Sequence, residues 1–163
     1  MANRNIKMKL SMKSINDLIQ KLEKVNTDIN VAKRSIVQEL VDGAVNVIIE
    51  NTPVDTGDTV SSTTSKVGID KATITQTGTH VIFNEYGTGP VGAAQPHPEL
   101  IDGWSYGSDG WEFYNANKNS KWYGKHFTMG QPAHAQMYKG AKYIKDNMRK
   151  VASEKVRDIL SKI

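Results

Sequence analysis

The apolar positions change period four times along this chain, and each change marks a different kind of element. Ile6-Lys7-Met8-Lys9-Leu10-Ser11-Met12 alternates apolar and polar residues, the period of a strand with one buried face. Residues 1–13 therefore read either as a strand of the sheet or as an arm that reaches a neighbouring subunit, with the lysines guarding an exposed edge. From Ser14, placed to cap with Asp17 behind it, apolar residues recur at three-and-four spacing: Ile15, Leu18, Ile19, Leu22 and Val25. The stretch 26–30 is poor in helix formers and predicts a bend. The stripe then resumes through Ala32, Ile36, Val37, Leu40, Ala44, Val45, Ile48 and Ile49. The pattern predicts one long helix, or two collinear ones, over 14–52, stopped by Pro53, which disfavours helical geometry at Thr52.

Beyond Gly57 the residues turn β-branched and hydroxylic. Segments 59–67, 71–77 and 80–83 predict strands of a small antiparallel sheet spanning 58–86, with turns at Gly68-Ile69-Asp70 and Gly78. Residues 87–131 are irregular, glycine- and proline-rich, yet hold all three tryptophans. That is too aromatic for a disordered linker and predicts an ordered loop with a hairpin, Trp111–Tyr114 against Lys125–Thr128. Helical spacing returns at Met137, Ala141, Ile144, Met148, Val151, Ala152, Val156, Ile159 and Ile163 and predicts a terminal helix over 133–163. The expected architecture is α+β in a single domain over 1–163: a long N-terminal and a C-terminal helix packed on a small antiparallel sheet, with a long aromatic loop.

Composition narrows the chemistry. The 163 residues include no cysteine, which removes disulfides, thiolate nucleophiles and cysteine-based zinc sites. No apolar run approaches the ~20 residues that span a bilayer, and the opening residues lack the apolar stretch of a secretory signal, so the expectation is a soluble chain with no membrane partner. The net charge of +4 is segregated. Residues 1–13 carry Arg4, Lys7, Lys9 and Lys13 without an acid, residues 139–163 carry a net +5, and the section between them is at −5. The basic terminal helix, with Lys142, Lys145, Arg149 and Lys150, leaves a nucleic-acid-binding module as one alternative, although a lysine-rich face is also the ordinary surface of a soluble helix.

Val54-Asp55-Thr56-Gly57 contains the tripeptide of aspartic proteases, which makes a small hydrolase using Asp55 a second alternative. That chemistry needs two carboxylates sharing a proton, each on a loop leaving a strand. Here the tripeptide leaves a helix through Pro53, and no second half follows, so the segment reads as a turn: Asp and Thr side chains bond nearby amides while Gly57 takes positive φ. His80, His97, His126 and His134 lack metal-ligand spacing, and no phosphate cradle or nucleophile elbow is present. No catalytic residue, metal or cofactor is expected.

Three features taken together resemble one family. Thr52-Pro53-Val54-Asp55-Thr56-Gly57 closes a long helix, Phe83-Asn84-Glu85-Tyr86-Gly87-Thr88-Gly89 closes the sheet, and Gly130-Gln131-Pro132-Ala133 opens the last helix. Their order and spacing are similar to those of the head-tail connector, or tail-completion, proteins of long-tailed double-stranded DNA bacteriophages, over roughly residues 14–163. The usual Pro-Phe-x-x-Pro-Ala-like continuation of the last motif is replaced here by His134-Ala135-Gln136-Met137. The resemblance implies a structural role without a reaction. Subunits close into a ring, commonly a hexamer, at the neck or upper end of the tail, between the tail tube and the connector or stopper proteins, after assembly in the host cytoplasm. DNA passes through the lumen without being read, which favours an acidic or hydroxyl-rich lining. The motif residues Pro53, Val54, Asp55, Thr56, Gly57, Glu85, Tyr86, Gly87, Thr88, Gln131 and Pro132 are expected to fix chain reversals. Trp104, Trp111, Trp122 and Tyr123 are candidate interface anchors or, equally, a local mini-core.

Overall fold

A computed structural model describes residues 12–69 and 71–161. The first element is a single helix, α1, Met12–Asn51, with helical hydrogen bonding running through the region where a bend is expected. The stripe on either side of residues 26–30 keeps one period, and weak propensity alone does not break a helix flanked by strong ones. Met12 is already helical, so Ser14 lies inside the helix and is not its cap; the alternating segment before Met12 lies outside the described residues. At about 1.5 Å per residue α1 is roughly 60 Å long.

The last element, α5, Gln136–Leu160, packs antiparallel against the C-terminal half of α1. Lys139 Nζ reaches Asn51 Oδ1 at 2.7 Å at one end, and Lys155 meets Glu39 at 2.9 Å toward the other. The buried apolar core is this seam: Ala32, Leu40, Val41, Ala44 and Ile48 from α1, with Val151 from α5 and Ala135 just before it. Small residues bring the helices close. A Cβ placed on Gly140 would lie 2.7 Å from Ile48 Cγ1, and Ile48 is only 1% exposed. The seam covers half of α1. No described side chain from Asn16 to Val31 is buried, and Ile19, Ile29 and Val31 are exposed.

Between the two helices the chain forms small units. Gly57, at φ 88°, enters a helical turn, α2, Asp58–Ser61, where a strand is expected. Only Thr64–Val67 (β1) and Ala72–Thr75 (β2) pair, antiparallel with Thr64 opposite Thr75, as a hydroxyl-rich hairpin. The expected third strand at 80–83 is instead a short helix, α3, Val81–Tyr86, followed by α4, Gly89–Ala94, inside the expected loop. The aromatic hairpin is β3, Trp111–Asn115, against β4, Gly124–Thr128, with Trp111 opposite Thr128 and Tyr114 opposite Lys125. The molecule is thus a mixed helix-and-sheet fold with two separate two-stranded sheets in place of a single one. The last helix begins at Gln136, three residues later than the spacing suggests, because Pro132 to Ala135 are engaged in the contacts described below.

The Gly140–Ile48 contact yields a first prediction. Gly140→Ala gains about 1 kcal/mol of helix propensity but forces a methyl against a side chain that has no room to retreat, an overpacking cost of about 1–3 kcal/mol. Chemical denaturation should therefore show net destabilisation, opposite in sign to the same substitution at an exposed helical glycine.

Candidate functional site

Among the described residues six polar or charged ones are buried: Thr52, Asn84, Glu85, His97, Ser120 and Gln136. They come from five separate stretches of sequence and gather where α1 ends, α3 ends and α5 begins. Burying a polar group without a partner costs about 1–3 kcal/mol, so such a cluster stands only if its members satisfy one another.

Glu85 is the centre. The N-cap position of α5 is Ala135, which has no side-chain acceptor and sits at φ 50°. The carboxylate of Glu85 takes over that role from α3. Its Oε2 accepts from the Met137 amide at 2.8 Å, and Oε1 accepts from the Tyr138 amide at 2.9 Å. These are the second and third amides of the helix, the ones an N-cap side chain ordinarily satisfies. A negative charge here also meets the positive end of the α5 dipole, an interaction of up to about 2 kcal/mol in a partly buried setting. Glu85 Oε1 accepts a third hydrogen bond, from His97 Nε2 at 3.1 Å, while His97 Nδ1 accepts from the Glu99 amide at 2.9 Å. A carboxylate only accepts, so the Glu85 contact calls for a proton on Nε2, while Nδ1 lies against both the amide and the carbonyl of Glu99. The imidazole is packed between Tyr86 and Tyr138, at centroid distances of 4.7 and 5.2 Å.

The backbone around Glu85 is stitched to the approach to α5. The Asn84 and Glu85 carbonyls accept from the His134 and Ala135 amides at 2.8 and 3.1 Å, which holds Ala135 in its left-handed conformation. Gln131 Nε2 donates to Asn84 Oδ1 at 2.9 Å, and Thr88 and Gln131 exchange main-chain hydrogen bonds at 2.9 and 3.1 Å. Gly130 lies so close beneath Thr88 that a Cβ would fall 2.0 Å from the Thr88 carbonyl oxygen, and its φ is 94°. Only glycine fits there. The second and third sequence motifs are therefore in direct contact.

Two further links bring in the first motif. Gln136 is fully buried, and its side-chain amide donates to Gln76 Oε1 at 3.2 Å. Gln76 Nε2 in turn donates to Thr52 Oγ1 at 3.0 Å and Thr63 Oγ1 at 3.1 Å, and the Thr52 hydroxyl donates to the Ile48 carbonyl at 2.7 Å. A relay thus runs from the start of α5 to the end of α1. Asp55 faces the other way. Its Oδ2 accepts from Ser120 Oγ at 2.5 Å and its Oδ1 from the Lys121 amide at 3.2 Å, latching the tip of the β3–β4 hairpin. Pro53 and Gly57 flank this latch, Thr56 Oγ1 donates to Asp58 at 2.6 Å, and Val54 is exposed.

Each expected anchor has a distinct place. Trp104 is half-buried against Tyr86 and Phe83, at 5.1 and 6.2 Å, a local aromatic cluster. Trp111, Trp122 and Tyr123 are exposed on or beside the hairpin; Trp122 meets His126 edge-on at 5.7 Å and Tyr123 approaches Tyr114 at 6.3 Å. Among the described residues no cluster of histidine, aspartate or glutamate has the arrangement of a metal site. Asp55 has no second carboxylate among its hydrogen-bond partners; both of its oxygens are used structurally. The sequence reading misses Gln76, Asn84, His97, Ser120 and Gln136 as members of the cluster. The one local hint is Gln136, a polar residue at the first position of a helix with no capping side chain before it.

Two predictions follow from this geometry. Glu85→Gln keeps the shape but supplies one acceptor oxygen where the fold uses two, and turns an NH2 group toward an amide. Urea denaturation should show a loss of about 1–3 kcal/mol, with the α5 amides losing hydrogen-exchange protection first. His134 generates a pH dependence. Burial first, and Lys139 second, hold its pKa below the usual value, so the folded state favours the neutral ring. Stability is then full above the unfolded-state value of about 6.5 and falls as pH drops through that value toward the depressed one. Denaturation midpoints between pH 7.5 and 5 should decline, and His134→Gln should flatten that part of the profile.

Comparison with known proteins points the same way as the motifs. The HK97-gp10-like family model, described as "Bacteriophage HK97-gp10, putative tail-component", matches residues 16–87, from the first turns of α1 to the glycine after α3. No curated protein and no solved structure gives a significant match to the chain. The matched stretch contains Thr52, Asp55, Gln76 and Glu85, the N-terminal half of the polar cluster. Over residues 16–87 the chain is thus similar to the HK97-gp10-like family of phage tail components.

Proposed function

We propose that this phage tail component is a structural subunit that closes with copies of itself into a ring, a hexamer, at the neck, where the tail tube meets the head connector and DNA passes through the lumen. The observation that carries this reading is how little of the chain is covered. A compact monomer of 18.1 kDa exposes about 8,100 Å², whereas this chain exposes 12221 Å². The fourteen residues outside the description would account for about 2,200 Å² even as fully extended chain. The remainder is of the size that two subunit interfaces would remove, at about 800 Å² each.

Exposed apolar side chains stand at two separate places among others, as a heterologous ring contact requires. Ile19, Ile29 and Val31 lie on the free half of α1, while Trp111, Tyr114, Trp122, Tyr123 and Phe127 lie on the hairpin. A tail component of this family needs no reaction, and the polar cluster supports that: Glu85, His97 and Asp55 spend their hydrogen bonds on amides and on one another. The nucleic-acid alternative gains less support, because Lys142 is engaged by Asp146 and Lys155 by Glu39, each partner raising the lysine's pKa. No helix among the described residues is long and apolar enough to cross a membrane.

Mass photometry of the purified chain at micromolar concentration should give one discrete species at six times 18.1 kDa, and negative-stain images of it should show an annulus. A monomer throughout that range, with no ring in images of assembled tails, would refute the proposal.

A further inference from the structure

Beside the polar cluster lies an open groove of about 390 Å³, at the small end of ligand clefts, lined by Phe83, Thr88, Gly89, Trp104, Ser105 and Trp111. Its floor is aromatic, and Phe83 and Trp111 are 42% and 43% exposed. The Trp104 indole N–H is buried with no acceptor among the described residues. The rim is acidic. From Ala72 to Asn117 the chain has no lysine or arginine, and the exposed Asp102 and Asp109 are neighbours in sequence of the lining residues Gly103, Gly107 and Trp111; Glu112, next along the strand, pairs with Lys125 instead.

One segment of the chain has the complementary chemistry. Residues 1–13 are basic without an acid, and Ile6, Met8 and Leu10 alternate with Lys7 and Lys9. Extended, such a segment sets three apolar side chains on one face toward the aromatic floor, while the long lysine stems can carry their charges to an acidic rim. It also exposes carbonyls along its edge.

The same copy cannot supply it. The groove belongs to the end of the molecule where α1 finishes: Thr88 pairs with Gln131, Glu85 caps α5, and Lys139 of α5 holds Asn51. About 60 Å of helix separates Met12 from that end. Six residues of fully extended chain reach at most about 20 Å, so Ile6–Leu10 stop far short of their own groove. We propose that the groove of each copy receives residues 6–10 of a neighbouring copy, so that an N-terminal arm, added to the helix contacts, ties successive subunits. This rests on the reading of the chain as a self-associating ring and names the contact that closes it.

The absence of native cysteine makes the test direct. A full-length Met8→Cys chain is mixed with a full-length Ser105→Cys chain carrying a larger tag, and mild oxidation is followed by non-reducing electrophoresis, with mass photometry on the same sample. The expected result is a mixed disulfide severalfold above that formed by Met8→Cys with Lys150→Cys on the exposed face of α5. Lys7→Glu with Lys9→Glu should abolish the excess, and adding Asp102→Lys with Asp109→Lys in the partner should restore it. A ring that forms without that excess overturns the arm contact alone. So does a full-length chain carrying both Met8→Cys and Ser105→Cys whose disulfide forms only within one chain. A chain that stays monomeric overturns the ring and the arm together.

Discussion

The fold hinges on one carboxylate. The last helix has no cap of its own, and the groups that would otherwise point unpaired into the interior are its first amides. Glu85 satisfies two of them from an element that lies fifty residues earlier in the chain, and it can do so only if α3 holds it at the right height and His97 occupies its remaining face. A charge buried this way is tolerable because every lone pair in use faces a donor and the helix dipole faces the charge. The other buried polar residues extend the arrangement outward: Asn84 to Gln131, Gln136 through Gln76 to Thr52, and Asp55 to Ser120. In a protein with few fully buried apolar side chains, this network sets the relative placement of segments that a larger core would set elsewhere.

That shortage of core has a structural cause. Among the described residues, two helices of unequal length form the only extensive packed seam, and the shorter one covers about half of the longer. The hairpins are two-stranded, and two strands alone hold little apolar surface from water. The β3–β4 hairpin is anchored at its tip by Asp55 and at its base where Met129 and Gly130 run beneath Gly89 and Thr88, leaving aromatic rings exposed between the anchors. A chain built this way presents apolar material at both of its ends, a property of parts made to be joined.

Much of this was legible in the sequence, and the failures are instructive. The apolar stripe from Ala32 to Ile49 is the α1 face of the seam, and the aromatic hairpin has the pairing that its alternation suggests. Val81-Ile82-Phe83 carries strand propensity yet forms a helix, because Asn84 and Glu85 must both be delivered inward to the start of α5, which adjacent residues of a strand, pointing to opposite faces, could not do. Residues 59–63 follow Gly57 into a helical turn for a local reason: Ser61 and Ser62 donate back to Gly57 and Asp58. The polar cluster itself was only half visible. Asp55, Glu85, Thr88 and Gln131 stand out as motif positions, but Gln76, His97, Ser120 and Gln136 look like surface residues. What buries them is a partner 12 to 65 positions away, which no local pattern encodes.

The antiparallel pairing of α1 with α5 also orders events at the ribosome. Synthesis runs from the N-terminus, so the stripe from Leu40 to Ile48 emerges long before the helix that covers it. Every nascent chain shorter than residue 136 carries that stripe bare and holds the Glu85 carboxylate ready for amides not yet made. Completion of the last helix is what shuts the seam, so a chain that stops before residue 136 is left with that apolar stripe uncovered.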